Sequence, residues 1–209
     1  ALGPYRDDVV VATKGGLERI GPGEWPVNGR PDHLRIAINN SLRRLEVEQI
    51  DLYQLHAPDP NVPIEESLGA LKEAQEAGKI RHIGVSNFKV SQLEKARQVV
   101  DVATVQNRYN LEDRSSEAVL DYCEKHDIGF IPWYPLNTGE LADDARLADI
   151  AEAHDATASQ VALAWLLHRS PVMLPIPGTS SIDHLEENTA ARDIELSDEQ
   201  FDALDALGK

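Results

Sequence analysis

The sequence predicts an α/β chain built as a (β/α)8 barrel, with about six of the eight βα units on its 209 residues. Three observations predict it. Short apolar runs alternate with amphipathic segments along the whole chain, as in a parallel sheet with helical crossovers. Most of the runs are continuously apolar, which fits strands covered on both faces. No GxGxxG follows the first run, which removes the best support for a doubly wound dinucleotide sheet.

The strand-like runs are Val9–Lys14, Asp51–Ala57, His82–Asn87, Val102–Asn107, Gly129–Tyr134 and Val172–Gly178. Between the first two, Pro31–Leu45 carries Leu34, Ile38, Leu42 and Leu45 at helical spacing, with Pro31 in a first turn that tolerates it. Glu65–Ala77 repeats the pattern through Leu68, Leu71 and Ala74, and Gly78 supplies a stop. Val90–Val100, Ser115–His126 and Leu147–His154 are the next amphipathic segments. Thr157 with Gln160, and Ser197 with Gln200, have capping-box spacing and open the last two expected helices. A closed barrel needs eight strands in about 250 residues. The chain therefore reads as a single domain over 1–209 that is incomplete at its N-terminal side.

Thirty-six acidic against twenty basic residues give a net charge of −16, which argues against general nucleic-acid or anionic-membrane binding. No apolar stretch has the ~18–20 residues of a membrane span, and the start lacks a signal-peptide pattern. Cys123 is the one cysteine, so no intrachain disulfide forms, and without metal-ligand spacing it reads as a packing residue. A cytoplasmic location with no metal site is the expectation.

In such barrels the chemistry gathers at the C-terminal strand ends. Those ends carry Lys14, His56, Ser86 with Asn87, Gln106, Trp133 with Tyr134, and the turn from Ile176. Singly, each has an ordinary explanation: a first solvated residue, a core histidine, an amide satisfying loop backbone. Together they suit hydride transfer between a nicotinamide and a carbonyl. A lysine lowers the pKa of a neighbouring acid, a neutral histidine polarises a carbonyl, amides match a carboxamide, and an aromatic offers a stacking face. Residues 15–30 are rich in Gly and Pro and hold Trp25, which either caps the apolar top of the barrel or walls a substrate pocket.

With these residues in place, the sequence resembles the aldo-keto reductase family. The stretches that carry it are VVVATKG from Val9, IDLYQLH from Ile50, KIRHIGVSNF from Lys79, VQNRYN from Val105, IPWYPL from Ile131 and LPIPGTSSIDHLEEN from Leu174. The resemblance implies an NAD(P)H-dependent reductase of aldehydes and ketones. It assigns the catalytic lysine to Lys14 and the catalytic histidine to His56. It assigns carboxamide binding to Ser86, Asn87 and Gln106, and stacking on nicotinamide to Trp133. Tyr134, Pro135 and Leu136 continue that motif, with Tyr134 in place of a serine. The adenosine end falls on Ile176, Gly178, Thr179, Ser180, His184, Glu187 and Asn188. Gly178 and His184 stand where many members have cations that contact the 2′-phosphate, so NADPH is expected on family weight and NADH is the alternative. The partner implied is a small carbonyl substrate, and the oligomeric state a monomer.

The family's proton donor is a tyrosine in an Asp-Thr-Ala-x-x-Tyr-Gly setting, and none of Tyr5, Tyr53, Tyr109, Tyr122 and Tyr134 has that setting. Two functions follow: a carbonyl reductase, or a catalytically inactive nicotinamide-nucleotide-binding paralogue or regulatory module without the donor. Two βα units at barrel spacing amount to about 50–70 residues. The intact mass of the cellular protein is expected to exceed that of these 209 residues by that amount, and an equal mass removes the expectation.

Overall fold

The computed structural model describes residues 5, 8–136 and 145–208. The chain forms two compact units, divided after Gln106. In the first, β1 (Ala12–Gly15), α1 (Pro31–Leu45), β2 (Ile50–Leu55), α2 (Ile64–Glu76), β3 (Ile80–Ser86) and α3 (Val90–Ala96) alternate, followed by β4 (Val102–Arg108). The strands lie in chain order β1-β2-β3-β4 and all pair in parallel. This is the arrangement of a barrel segment, each helix crossing back between neighbouring parallel strands.

Local chemistry explains the element boundaries. Pro31 sits in the first turn of α1, and the helix ends where Glu46 takes a left-handed φ of 57° and its N–H returns to Leu42 O. Glu65 and Glu66 occupy the first turn of α2, where acidic side chains offset the helix dipole. Leu34 and Ile38 of α1, Leu68 and Leu71 of α2, and Ile50, Leu55, Ile83 and Val85 of the sheet are all buried. Each such side chain contributes about 1.5–3 kcal/mol on burial, so this helix-on-sheet layer is the main support of the strands.

Within the sheet, the polar residues are organised by register. Lys14 pairs with Gln54, Gln54 with Gly84, and Gly84 with Thr104. Gln54 Nε2 donates to Thr104 Oγ1 at 3.2 Å, passing over β3. That bond exists because Gly84 has no side chain. A Cβ there would lie 2.4 Å from Thr104 Oγ1 and 2.8 Å from Gln54 Cγ. The register between β3 and β4 also shifts here: Ile83 pairs with Val102 and Gly84 with Thr104, so the extra residue, Ala103, lies on β4.

The second unit holds α4 (Glu117–Lys125), β5 (Gly129–Trp133), α5 (Ala145–Ala153), α6 (Ala158–Arg169), α7 (Ile182–Ala190) and α8 (Asp198–Asp205). The last residues of β4 pass into this unit, where β5 follows in the strand order. Its core is aromatic: Tyr109 meets Phe130 edge-on and stacks on Trp165, which stacks in turn on Phe201. Arg114 lies 3.8 Å from the Trp165 ring centre and bonds Asp205 at 3.0 Å. Arg169 bonds Glu117 and Asp121. Burial works against the charge of Arg169, but its carboxylate partners outweigh that and hold its pKa above the usual range. The expected capping boxes form at Thr157–Gln160 and Ser197–Gln200.

Two expected strands differ. The first pairs over Ala12–Gly15 rather than from Val9. Val9 and Val10 are exposed, and the N–H of Val11 goes to the Asp51 carboxylate. The sixth, Val172–Gly178, is a single parallel bridge between Phe130 and Met173. Pro171, Pro175 and Pro177 flank that bridge and lack the N–H donors a ladder needs, so an apolar run is left with one bridge. Gly84→Ala is expected to destabilise the protein by about 1–3 kcal/mol, the usual cost of overpacking. Urea unfolding checks this, and a midpoint equal to wild type contradicts the packing account.

Candidate active site

Four of the six strand-end groups belong to residues whose backbone lies in the first unit. Gly15 closes β1, and a Cβ on it would fall 2.1 Å from Tyr53 Oη. The glycine lets the strand pass close over that phenol, and Gly15 O then accepts the N–H of His56 at 2.9 Å. Gly16 follows at φ 101°, a conformation that favours glycine.

Lys14 Nζ donates to Gln106 Oε1 at 2.9 Å. Asn87 sits at φ 62°, which asparagine tolerates better than most residues. Its N–H goes to Gln106 O at 3.0 Å, and its Nδ2 donates to His56 O at 3.0 Å and to Ser86 Oγ at 3.2 Å. Lys14, His56, Ser86, Asn87 and Gln106 thus form one connected cluster. Ser86 and Gln106 are buried, Lys14 and His56 half-buried, and Asn87 exposed.

Electrostatics act in one direction here. Burial lowers the pKa of Lys14. Burial and then the charge of Lys14 lower the pKa of His56. At neutral pH His56 is therefore an uncharged imidazole, able to donate one hydrogen bond without carrying a charge of its own. The buried phenol of Tyr53 is pushed up to about 12. Tyr109 is also buried, and its hydroxyl donates to Glu117 at 2.6 Å.

After Gly16 the chain makes a short antiparallel hairpin, with bridges at Leu17–Val27 and Gly21–Glu24. Both sides of its base are tied down. The N–H of Asn28 returns to Gly16 O at 2.8 Å. Gly29 N–H donates to the Asp59 carboxylate at 2.8 Å, and Ser67 Oγ donates to Gly29 O at 2.6 Å. The bonds from Gly29 and Asn61 hold the Asp59 carboxyl below its usual range. Trp25, near the tip, is 54% exposed with Arg19 over its ring, so it does not cap an apolar top. The sequence reading missed both Asp59 and Gly84. A glycine inside a strand pattern and an aspartate two residues before Asn61 were the available signals.

The second unit carries the remaining candidates. Trp133 is half-buried, and Tyr134 has a φ of 63° with its carbonyl held by Asn110 Nδ2 at 2.9 Å. Arg108 lies over both rings, at 5.7 and 5.2 Å. Pro135 is buried and Leu136 half-buried beside them. Further on, Gly178 and Ser180 are exposed, Thr179 Oγ1 accepts the N–H of Ser181, and Ser181 Oγ caps α7 by accepting the N–H of His184. Glu187 O is held by Gln160 Nε2 at 3.1 Å. Ile176 and Asn188 line a cavity of about 420 Å³ with Leu163, Leu167 and Leu185. Among the described residues no group of His, Cys, Asp and Glu is placed to hold a metal ion, and no helix is long and apolar enough to cross a membrane.

Fold and cluster together define a (β/α)-barrel protein with a bonded cluster of polar groups at the strand ends. Comparison with known proteins gives the family. The aldo/keto reductase family model matches residues 1–209. An uncharacterized oxidoreductase of Schizosaccharomyces pombe is 50% identical over 210 residues, covering 100% of this chain and 68% of the relative. Pyridoxine 4-dehydrogenase of Escherichia coli is 38% identical over 216 residues, covering 100% of this chain and 75% of the enzyme. The crystal structure of an aldo-keto reductase from Klebsiella pneumoniae in complex with NADPH is 32% identical with a TM-score of 0.84, covering 99% of this chain and 72% of that one. The chain belongs to the aldo/keto reductase family, and it is an oxidoreductase by that membership.

Because Lys14 repels a charged His56, Lys14→Met is expected to raise the pKa of His56 part of the way to 6.5, burial keeping the remainder. Imidazole NMR titration measures this, and an unchanged value contradicts the coupling. Below 6.5 the unfolded chain binds a proton at this histidine that the folded protein refuses, so stability falls as pH drops from 6.5 toward the lowered value. His56→Gln is expected to flatten that part of the stability profile.

Proposed function

We propose that the protein reduces aldehyde or ketone carbonyls to alcohols with NADPH. The observation that carries the reading is the cluster at the strand ends, in which Lys14, Gln106, Asn87, Ser86 and His56 are joined by direct bonds. Ser86 offers a buried hydroxyl, and Asn87 and Gln106 offer amides whose backbones are locked together. Such a set fits a carboxamide, which presents one acceptor and two donors in a plane. When bound, the reduced nicotinamide supplies the hydride.

The roles of the chain's own residues follow from their state. Neutral His56 donates a hydrogen bond to the substrate oxygen and orients the carbonyl. The Lys14 ammonium stabilises negative charge on a neighbouring acid and so eases proton delivery to the same oxygen. Trp133 gives the ring a flat face, and its neighbours Tyr134, Pro135 and Leu136 follow it along the chain. Gly178, Thr179, Ser180 and the start of α7, with His184, take the phosphate end. Glu187 and Asn188, with Ile176, take the adenosine end, beside the apolar cavity they share with α6. The NADP-bound relative from Klebsiella pneumoniae supports the phosphorylated cofactor. Residues 1–209 act in this reading as one catalytic domain.

The test is NADPH oxidation with a simple aldehyde at saturating cofactor. Lys14→Met and His56→Ala are each expected to lower turnover by about 10²–10⁴, the range of general acid–base contributions. Undiminished turnover in Lys14→Met would falsify the role given to Lys14. Binding of NADP+ tighter than NAD+ by calorimetry is the second expected outcome, and the reverse order replaces NADPH with NADH.

A further inference from the structure

Lys14 and Gln106 are 92 residues apart and lie on strands with two others between them. We propose that Gln106 is a positioning residue for Lys14, its Oε1 fixing where the ammonium stands, so that one side chain couples nicotinamide binding to placement of the lysine. The coupling half of this rests on the carboxamide role given to Gln106 above. The positioning half rests on the bond itself.

Three features of the contact carry the inference. Lysine has only donors, so the atom of Gln106 facing Nζ is its oxygen, and the amide nitrogen is turned elsewhere. The lysine therefore sets which way the amide faces, and the amide sets where the lysine ends. Gln106 is itself held by its surroundings: it is buried, paired in register with Ser86, and its carbonyl accepts the N–H of Asn87. Finally, Lys14 is half-buried, and burial disfavours its charged form. An acceptor at 2.9 Å opposes that effect and keeps the ammonium in place. Among the described residues Lys14 pairs in register with Gln54 of β2, bonds Gln106 of β4 and acts electrostatically on His56, the residue after β2 and the titratable one of these three.

Reciprocity then sets a requirement. If cofactor and lysine share Gln106, the cofactor's affinity must change as Lys14 loses its proton, and the lysine's titration must change when the cofactor binds. A glutamine that only filled space would alter stability and leave both titrations where they were.

The experiment reads the titration of Lys14 directly, by the pH dependence of its acetylation with acetic anhydride, quantified by peptide mass spectrometry on the protein without cofactor. Gln106→Leu is expected to lower the midpoint by about one pH unit, the size of a lost hydrogen bond to a charged group. Gln106→Glu is expected to raise it, and Gln106→Asn, whose amide falls short, to behave like Gln106→Leu. Equal midpoints in Gln106→Leu and Gln106→Glu overturn the positioning role. These two variants differ in sign, so loss of folding in one leaves the other decisive. A second arm adds NADP+. A midpoint that moves with NADP+ in wild type and stays fixed in Gln106→Leu supports coupling. Binding of NADP+ without any movement overturns it. Failure of NADP+ to bind wild type overturns the proposed cofactor, while the first arm still decides the positioning role.

Discussion

The curl of the sheet is the constraint on which the cluster depends. Neighbouring strands stand about 4.8 Å apart, so in a flat sheet the roots of Lys14 and Gln106 would be separated by about 14 Å, with side chains standing parallel to each other. Their 2.9 Å bond requires the four strands to bend around a common interior, as barrel strands do. Gly84 removes a side chain from the row containing Lys14, Gln54 and Thr104, which allows Gln54 and Thr104 to meet across β3. Curvature and polar contacts therefore support each other: the bend brings the groups together, and their bonds satisfy a polar interior that would otherwise be costly.

Polarity inside a barrel needs compensation from outside it. In the first unit that comes from α1 and α2, whose buried Leu34, Ile38, Leu68 and Leu71 press on the outer faces of the strands. In the second unit it comes from aromatic stacking around Trp165 and from arginines whose charges are matched by Glu117, Asp121 and Asp205. Two different solutions, aliphatic and aromatic, serve the same sequence of alternating strands and helices.

The strand-end residues were legible in the sequence because barrel topology converts position in the chain into position in space. Knowing that Lys14, His56, Ser86 and Gln106 each close an apolar run was enough to place them on one rim. Their bonding was not legible. Nothing in a local pattern says that residue 14 bonds residue 106 rather than a nearer strand, since that depends on the curvature of everything between. The false sixth strand has the opposite cause. Val172–Gly178 has the right apolarity, but periodicity counts side chains, and the ladder is decided by backbone donors that three prolines lack. Asp59 escaped notice because its partner, Gly29, is a backbone group, and backbone groups leave no trace in composition.

The anchoring of the hairpin between Gly16 and Gly29 bears on its length. Its base is fixed on one side by Asn28 against Gly16 and on the other by Gly29 against Asp59 and Ser67. These bonds fix the two ends of the segment independently of what lies between them. A change of length within 17–27 therefore leaves the bonded ends of the segment, and the strand that precedes it, with the same partners. Closing a somewhat longer loop over the same fixed ends costs only a fraction of a kcal/mol in chain entropy, about 0.6 for each doubling of its length. Chain entropy thus places little limit on the length of that segment.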